Sequence, residues 1–483
     1  MCGIIATNTS TDPGRLRRSV RHRGTRPPQL MQVGSWQLCH ALMPVQGAHP
    51  VAQPLVDSHN AMLFQGELWE HPGHASDTLY LFELLSGTEP QHMAPTVQQL
   101  EGMFAFVYLD TVHGLLWFAS DIFGEQPLYY ASPKDKGMPG FFGPPLTVAS
   151  EHKQLRACGH PLKEIKPCLP GVLYCYDLRL GTLTEQHYHQ FTYDGPRDTD
   201  VDHGHLRKLV QASCRAKYDS VSLQNPALLL SGGVDSAIMA YELGKLGLDT
   251  AFTVSTDPDS VDFQTAEKTA ARHGYKLTKV LCKTLDPELS IAMAESMNKS
   301  IVEEYVCHLA LAKCLAQRDY RVVFTGSGAD ELFCGYPYYL RFTSRKDPSS
   351  LAAMQEKLMQ GYHRLELRTL NKVYMSQAIE CRSPFLDRRL AYYATSLDVG
   401  ECLVGKPAVM KKVLRDAYAD KIESAHNPKI IAGRSMGVID HFEKQHGGDA
   451  RAYHPRYREV WASNPELFAL VRKARSVEYE ILD

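Results

Sequence analysis

The chain has 483 residues, 44% hydrophobic and 22% charged, which is the balance of a folded protein long enough for two or three domains. Its formal net charge of −2 creates no overall attraction to nucleic acid or to an anionic membrane, and no run of 18 apolar residues is present. We therefore expect no nucleic-acid partner, no membrane partner and a cytoplasmic location without a signal peptide. The 12 cysteines form no Cys-x-x-Cys pair, so buried, reduced thiols are expected.

Residues 1–190 are predicted to form a domain of short strands separated by Gly and Pro. The expected strands lie at 61–65, 103–109, 114–119 and 171–176. Only 77–85 has a clear helical pattern. This pattern favours packed antiparallel sheets with few helices. The polar segment 191–201 is predicted to be a linker to a second domain at 200–483.

The second domain alternates predicted strands with helices. Apolar runs at 226–230, 250–254 and 320–325 are predicted strands, and a helical pattern at 237–243 follows the first of them. Alternation of this kind indicates a parallel sheet covered on both faces. The predicted class is therefore α+β for the first domain and α/β for the second, with a mostly helical final third.

Cys2 directly follows the initiator methionine. If Met1 is removed, which the small Cys side chain permits, one residue carries both a thiol and a free α-amino group. The thiolate is a nucleophile, and an amine with a pKa near 8 could take the thiol proton through a water and return it to a leaving group. A cysteine at this position can also be arbitrary, so its meaning depends on the rest of the chain.

A glycine-rich hexapeptide, Ser-Gly-Gly-Val-Asp-Ser at 231–236, lies between a predicted strand and a predicted helix. Glycines let the backbone approach an anion, and amides that open onto a helix N-terminus bind phosphate. No lysine follows the glycines, so this is not the lysine-containing loop of the common NTPases. The hexapeptide matches instead the signature of the ATP pyrophosphatases, which cleave ATP between the α- and β-phosphates.

With Cys2 and this loop in place, the chain resembles the bacterial type of glutamine-dependent asparagine synthetase. The matching blocks are MCGI at 1–4, RHRG at 21–24, GE at 66–67, SD at 76–77, LEGMFAF at 100–106, DIFGEQPLYY at 121–130, GSGADELFCGY at 326–336 and IECRSPFLD at 379–387. The resemblance implies an N-terminal class II glutaminase, an Ntn-type antiparallel sandwich flanked by helices. It also implies a C-terminal parallel-sheet domain of ATP pyrophosphatase type (adenine nucleotide α-hydrolase-like), to which ammonia is supplied.

For the first domain, the resemblance implies that Cys2 attacks the carboxamide of glutamine, releasing ammonia and leaving a thioester that water hydrolyses. Gly66 would present a backbone amide to the oxyanion. Glu67 and Asp77 match positions that hold the α-amino group of glutamine, and Gln65 stands where the family has an oxyanion-hole asparagine.

For the second domain, the resemblance implies that ATP and Mg²⁺ activate a carboxylate as an acyl-adenylate, which ammonia attacks. Asp235 and Asp330 match metal-coordinating positions, and oxygen ligands suit Mg²⁺, although each could instead be a helix N-cap. Lys429 aligns with a lysine that neutralises charge developing on phosphate. Glu380 and Arg382 are expected to be structural, supporting a helix before the 384–387 segment. The nucleotide-binding positions, several of them at strand ends, are Ser231, Gly232, Gly233, Asp235, Ser236, Val254, Thr325 and Gly326.

Two departures affect the predicted glutamine site. Leu42 replaces the family arginine that clamps the carboxylate of glutamine, and Arg26 could compensate for it. Gln65 is longer than asparagine and would displace the oxyanion donor, whose loss typically costs about 10²–10³ in rate. We therefore expect an impaired or redirected glutaminase that retains Cys2.

Two further departures affect the predicted acceptor site. Ser327 replaces a glutamate near the reacting carbonyl, where the related β-lactam synthetases carry a tyrosine. The substrate loop with its arginine is not recognisable, and Glu303 and Glu304 fall in that region. Like charge would disfavour a dicarboxylate such as aspartate, unless these glutamates form a solvated helix face.

Three hypotheses stay open. The first is an asparagine-synthetase-type amidotransferase that uses glutamine, ATP and, by default, aspartate. The second keeps the adenylation but acts on another carboxylate in specialised metabolism, or cyclises its substrate, although retention of Cys2 argues against pure cyclisation. The third is a non-catalytic paralogue, against which the intact 231–236 loop, Asp330 and Lys429 argue. A homodimer is one alternative for the assembly.

Overall fold

The computed structural model describes residues 2–47, 49–132, 145–192, 195–337, 339, 348–364, 366–404, 409–423, 435–446 and 449–482. The strands are β1 Gly3–Thr7, β2 Gln29–Val33, β3 Trp36–Ala41, β4 Leu55–Val56, β5 Asn60–Leu68, β6 Gly102–Asp110, β7 Leu115–Ser120, β8 Tyr129–Ala131, β9 Thr147–Ala149, β10 Ile165–Pro167, β11 Val172–Asp177, β12 Thr182–His187, β13 Asn225–Leu229, β14 Thr250–Ser255, β15 Lys276–Cys282, β16 Tyr320–Phe324, β17 Glu380–Arg382 and β18 Tyr479–Leu482. The helices are α1 Pro13–Val20, α2 Asp77–Ser86, α3 Met93–Gln98, α4 His152–Ala157, α5 His203–Asp219, α6 Val234–Gly244, α7 Val261–His273, α8 Pro287–Ala294, α9 Lys299–Gln317, α10 Ala329–Leu332, α11 Pro348–Gly361, α12 Glu366–Met375, α13 Arg388–Ser396, α14 Lys412–Ala417, α15 Val438–His446, α16 His454–Ala462 and α17 Asn464–Lys473. Short helical turns lie at Arg21–Arg23, Pro90–His92, Leu162–Glu164, Tyr362–Arg364, Val399–Leu403 and Ala474–Ser476.

The first domain is a sandwich of two six-stranded antiparallel sheets, in the orders β10-β8-β9-β1-β3-β2 and β12-β11-β7-β6-β5-β4. Apolar side chains from both sheets meet between them, for example Ile4 and Val148 from one sheet and Leu63, Val107 and Phe118 from the other. The predicted antiparallel architecture is therefore confirmed.

Helices α1, α3 and α4 were not predicted from the sequence. Helix α1 has a local signal that supports it, because the Asp12 side chain caps its first turn and Pro13 occupies its first position. The helix contains three arginines in eight residues and buries only Leu16, Ser19 and Val20, so its apolar periodicity is weak.

The second domain contains a six-stranded sheet in the order β17-β16-β13-β14-β15-β18. Its first five strands are parallel and β18 is antiparallel to β15. Leu228 and Phe324 pack on one face, whereas Ala227 and Val323 pack on the other with helix α9, so both faces are covered as predicted. Glu380 and Arg382, expected to support a helix before residues 384–387, form strand β17 beside β16, after helix α12 ends at Met375.

The predicted linker contacts both domains. Phe191 is buried and its ring stacks on Phe123 of the first domain, with 4.9 Å between ring centroids. Asp198 forms a bridge to Leu397 of the second domain. None of the described helices has the length and apolar composition needed to cross a membrane.

Candidate active sites

Cys2 lies in a cavity of the first domain to which three segments contribute. These segments are the loop after β3, the end of β5 and the start of α2. Predicted residues that line the cavity are Cys2, Gly66, Glu67 and Asp77. They come from positions up to 75 residues apart, and the fold brings them together because β1 and β5 belong to facing sheets and α2 begins beside the end of β5.

The Cys2 thiol is buried and is protonated at neutral pH. Burial raises its pKa to about 11, and the carboxylates of Glu67 and Glu380 add to this effect against the opposing influence of the amino terminus and the Met43 backbone. Arg23 fixes the main chain at this point, since its Nε donates to the Cys2 carbonyl oxygen at 3.1 Å. A nucleophilic role for Cys2 therefore requires a base that removes its proton when substrate binds.

Gly66 is required by the close packing of β5 on β6. Its φ is +111°, and a Cβ on it would lie 2.0 Å from the carbonyl oxygen of Met103. No other residue fits this conformation and this space. The glycine thereby gives the cavity a wall of bare main chain at the position predicted to supply the oxyanion amide.

Glu67 and Asp77 place two carboxyl groups on the same cavity. Asp77 accepts hydrogen bonds from the Leu68 amide at 3.2 Å and the Thr78 amide at 2.6 Å. An oxygen of Glu67 lies 3.8 Å from Nη2 of Arg382. Burial raises the pKa of both groups, and the neighbouring carboxylates Glu380 and Asp77 raise that of Glu67 further. A ligand ammonium group would relieve this repulsion, which suits the predicted recognition of an α-amino group.

The Gln65 side chain is not placed where its prediction requires. Its Nε2 donates to the Pro127 carbonyl at 2.9 Å, its Oε1 accepts from the Ser150 hydroxyl, and Gln65 is absent from the cavity lining. Successive residues of a strand face opposite sides, so Phe64 and Gly66 line the cavity while the Gln65 side chain enters the sandwich. The Gln65 side chain therefore lies outside the cavity that Cys2, Gly66, Glu67 and Asp77 line.

The structure supplies no substitute for the missing arginine clamp in the described part of the cavity. Leu42 lines the cavity, whereas the Arg26 side chain is exposed and does not line it. The amides of Thr25 and Arg26 both donate to the Leu42 carbonyl, at 2.9 and 3.1 Å. Among the described lining residues none is Arg or Lys, so the α-carboxylate of glutamine would lack an ionic partner there.

A second cavity, of about 200 Å³, opens at the carboxyl ends of the parallel strands. Seven of the predicted nucleotide and metal positions line it, namely Ser231, Asp235, Ser236, Val254, Thr325, Gly326 and Asp330. Gly232 and Gly233 belong to the adjoining loop, and Gly233 caps helix α6. This is the edge at which open parallel sheets bind ligands.

The 231–236 loop is held by its own serines and by Asp262. The Ser236 hydroxyl lies 3.0 Å from that of Ser231, and the Gly232 amide donates to Asp262 at 2.9 Å. A Cβ on Gly326 would lie 2.7 Å from the Cβ of Asp235, so the loop after β16 touches the start of α6. Sequence analysis missed Asp262, which has no motif of its own because it lies on α7 and reaches the loop only in the fold.

Asp235 and Asp330 face each other across the ammonium group of Lys411. This nitrogen is bonded to Asp235 and lies 2.8 Å from Oδ1 of Asp330. Burial lowers the pKa of Lys411, but the two carboxylates outweigh burial and hold that pKa above its usual range. The caps of α6 and α10 are Gly233 and Gly328, so neither aspartate is an N-cap.

The two aspartates fit a hard divalent cation. Their oxygens converge on one positive charge, and carboxylate oxygens are the ligands that Mg²⁺ prefers. In this structure the ammonium group of Lys411 balances the negative charge of the two aspartates, which a bound divalent cation would also balance. Lys411 was missed from sequence because no motif surrounds it. Lys429 lies outside the described residues.

The far end of this cavity is acidic and aromatic. Glu304, Glu331 and Glu366 line it together with Tyr305, His308, Ser327 and Tyr362. The Ser327 hydroxyl lies 3.1 Å from a Glu366 oxygen. Burial lowers the pKa of His308 to about 4, so this ring is neutral, and none of the described lining residues is Arg or Lys.

Glu303 and Glu304 differ in their surroundings. Glu303 is buried, with a carboxylate oxygen 2.9 Å from Nζ of Lys299 and another 3.1 Å from the Tyr453 hydroxyl. Only Glu304 lines the cavity. A solvated helix face, the alternative considered for both residues, is therefore excluded for Glu303.

Helix α12 lines the sheet-edge cavity and is linked through Arg23 to the Cys2 main chain. Glu366 at its start lines the acceptor end, and Asn371 further along accepts a hydrogen bond from Arg23 at 2.9 Å. Arg23 in turn holds the Cys2 carbonyl and pairs with Glu151 at 2.8 Å. One helix thus contributes Glu366 to the sheet-edge cavity and contacts Arg23, the residue that holds the Cys2 carbonyl.

Comparisons with known proteins match both domains of the chain. The family described as asparagine synthase matches residues 205–365 and 342–435, and the family described as glutamine amidotransferase domain matches residues 1–167. The asparagine synthetase (glutamine-hydrolyzing) of Cricetulus griseus is 26% identical over 471 residues, which cover 87% of this chain and 81% of that protein. The protein of the same name from Homo sapiens is 25% identical over 470 residues, with the same coverage of 87% and 81%. A solved allosteric regulatory enzyme of purine biosynthesis is 12% identical over 58% of this chain and 80% of its own, with a TM-score of 0.31.

Proposed function

Because the chain belongs to the family of glutamine-hydrolysing asparagine synthetases, we propose that it transfers nitrogen from glutamine to a carboxylate in an ATP-dependent ligase reaction. The products are an amide, glutamate, AMP and pyrophosphate. The observation that carries this proposal is the presence in one chain of a buried Cys2 beside Glu67 and Asp77, and of a glycine-rich loop facing Asp235 and Asp330 at a sheet edge.

In the first cavity, glutamine binds with its ammonium group near Glu67 and Asp77. The Cys2 thiol loses its proton to the α-amino group that removal of Met1 exposes, and the sulfur attacks the carboxamide carbon. The main chain at Gly66 faces the oxyanion. Ammonia leaves with the returned proton, and water hydrolyses the thioester to glutamate.

In the second cavity, the 231–236 loop binds the phosphates of ATP, and Gly326 lets the adjoining loop approach them closely. The acceptor carboxylate attacks the α-phosphorus, so an acyl-adenylate forms and pyrophosphate leaves. Asp235 and Asp330 would hold Mg²⁺, which offsets the charge of the triphosphate when bound. Lys429, from its place in the sequence, is proposed to add a further positive charge at the phosphates.

Ammonia then attacks the acyl carbon and displaces AMP. This step releases a proton, and the carboxylates of Glu304 and Glu366 line the acceptor end where a proton acceptor is needed. Helix α12 keeps this end of the cavity in fixed relation to Arg23 and thereby to Cys2. The nitrogen donor and the acceptor are in this way held by one connected framework.

Aspartate is the default acceptor. The acidic lining at Glu304, Glu331 and Glu366 favours a second candidate, a carboxylate that lacks an additional negative charge, because like charges repel in a buried site. All cysteines that the structure describes are free thiols, which suits the reducing conditions of the proposed cytoplasmic location. A homodimer stays a prediction.

The test is pyrophosphate release from ATP and Mg²⁺ with aspartate, supplied with either glutamine or ammonium, with the products identified by mass spectrometry. We expect Cys2→Ala to abolish glutamine-supported synthesis and to keep ammonium-supported synthesis, while Asp235→Asn stops both. Cys175→Ala is the matched control, because this thiol is half-buried and outside both cavities. An unimpaired glutamine-supported rate in Cys2→Ala would exclude Cys2 as the nucleophile. Absence of pyrophosphate release with every carboxylate offered would exclude the proposed ligase activity.

A further inference from the structure

A groove rich in arginine lies between the start of the first domain and the last helix of the second. It measures about 570 Å³, and five arginines line it: Arg15, Arg18, Arg21, Arg472 and Arg475. Phe468, Val471 and Pro465 contribute an apolar wall. This groove is separate from both active cavities and shares no lining residue with them.

The positive charge of the groove is poorly balanced by the protein. Arg18 lies 3.6 Å from Asp12, and both side chains are exposed, so this pair contributes little. The other four arginines have no ion pair among the described residues. Favourable interaction with a helix dipole explains the position of only some of these arginines. Arg472 is favourably placed in the last turn of α17, but Arg15 is in the first turn of α1, where a cation opposes the helix dipole.

The chemistry of the groove identifies an anionic ligand with an aromatic part. Guanidinium groups bind phosphates through paired, charge-assisted hydrogen bonds. The half-buried Phe468 ring offers a surface on which a planar base can stack. Asn464 adds an acceptor, because its Nδ2 donates to the Arg156 carbonyl at 3.2 Å and its Oδ1 has no partner among the described residues. The N–H groups of a nucleobase can donate hydrogen bonds to this oxygen.

We propose that this groove is a second binding site of the chain, which takes a nucleoside polyphosphate. The phosphates bind the arginines from both domains, and the base lies against Phe468 and Asn464. The volume of the groove is that of a small-molecule site rather than an extended nucleic-acid track. A nucleotide bound in the groove would contact both α1 and α17, next to the Arg21–Arg23 turn. The last residue of this turn, Arg23, donates a hydrogen bond to the Cys2 carbonyl. The site does not depend on the proposed ligase activity.

The probe is α,β-methylene-ATP, which resists cleavage at the bond that the ligase breaks, and the measurement is bound nucleotide per chain by equilibrium dialysis at low salt. We expect two equivalents for the parent chain, one in the sheet-edge cavity and one in the groove. Arg472→Glu combined with Arg475→Glu should weaken the second equivalent about 100-fold or more, because two charge-assisted bonds are lost. The first equivalent and ATP turnover should stay unchanged.

The matched control is Lys444→Glu combined with Arg458→Glu, two exposed cations outside the groove whose exchange alters net charge equally. This variant should keep two equivalents. Bound nucleotide in the parent that the Arg472→Glu and Arg475→Glu exchange leaves unchanged, or equal loss in the control, would overturn the proposal; a parent that binds one equivalent, lost on that exchange, would place it in the groove. Inorganic tripolyphosphate provides the second arm: if it displaces the groove-bound equivalent as well as ATP itself does, recognition of the nucleoside is wrong. Because the readout is binding, failure of the ligase proposal leaves it interpretable.

Discussion

Leu42→Arg should restore strong binding of glutamine. The substitution places a guanidinium group in a cavity that already holds two carboxyls, Glu67 and Asp77, for the α-amino group but no cation for the α-carboxylate among its described lining. The Leu42 main chain is fixed by two hydrogen bonds to its carbonyl, from Thr25 at 2.9 Å and Arg26 at 3.1 Å. The exchange therefore changes a side chain at a positioned site, without asking the loop to rearrange.

The size of the effect follows from the bond that is gained. A charge-assisted hydrogen bond contributes about 1.5–3 kcal/mol, which corresponds to roughly a 10- to 150-fold lower KM for glutamine. The competing event is capture of the new arginine by Glu67 or Asp77, since both are buried near the same space. Capture would occupy the ammonium site, so KM would stay high or rise.

The assay is glutamate formation against glutamine concentration, in parallel with amide formation supported by ammonium. Leu42→Met is the matched control, because it keeps the volume and adds no charge, and its KM should stay within about threefold of the parent value. The ammonium-supported rate should not respond to either exchange. A KM for glutamine that is unchanged in Leu42→Arg, with folding intact, would contradict the prediction that a cation at this position strengthens glutamine binding.

Three further predictions concern buried charges. Lys411→Met leaves Asp235 and Asp330 facing each other without the ammonium group that they share. Pyrophosphate release should fall at least about 100-fold while glutamine hydrolysis persists. Equal loss of both activities would indicate misfolding instead. Arg23→Met removes a fully buried partner of Glu151, which keeps His22 and Lys153, so the free energy of unfolding should fall by about 3 kcal/mol in denaturant titration, and a change below about 1 kcal/mol would contradict this. His152 has its pKa lowered by burial to about 3, so on acidification below about pH 6.5 only the unfolded chain takes up its proton and the parent loses stability. The stability of the parent relative to His152→Gln should therefore fall by about 1.3 kcal/mol between pH 7 and pH 5.5, and no change between these values would show that the ring has the same pKa in the folded and the unfolded chain.

Local patterns predicted most of the architecture. The strands expected at 61–65, 103–109 and 171–176 and the helix expected at 77–85 all appear, because their apolar residues recur at the spacing of the element they form. Strand β18 was not predicted. Its four residues are half-exposed or exposed, follow a helical region and carry no such pattern, and they pair with β15 only because the fold brings the two strands together. The same reasoning would have oriented Gln65, whose neighbours at 64 and 66 line the cavity, but the family motif was given priority over strand alternation.

Residues that act through distant partners could not be found from sequence. Lys411 lies 176 positions from Asp235, and Arg23 lies 348 positions from Asn371. Neither pair shares a motif, and single lysines or asparagines are common on surfaces. The arginine groove has the same origin, since Arg15 and Arg472 belong to opposite ends of the chain and line one groove only because the fold places α1 and α17 on either side of it.

The transfer of nitrogen from glutamine at Cys2 to an adenylated carboxylate is tested most directly by isotope. Purified protein is supplied with ATP, Mg²⁺, a carboxylate acceptor, glutamine carrying ¹⁵N in its side-chain amide, and unlabelled ammonium, and the amide product is analysed by mass spectrometry. The parent chain should place ¹⁵N in the product, whereas Cys2→Ala should make only unlabelled amide. Labelled product from Cys2→Ala, or unlabelled product from a parent that hydrolyses glutamine, would contradict the transfer between the two sites.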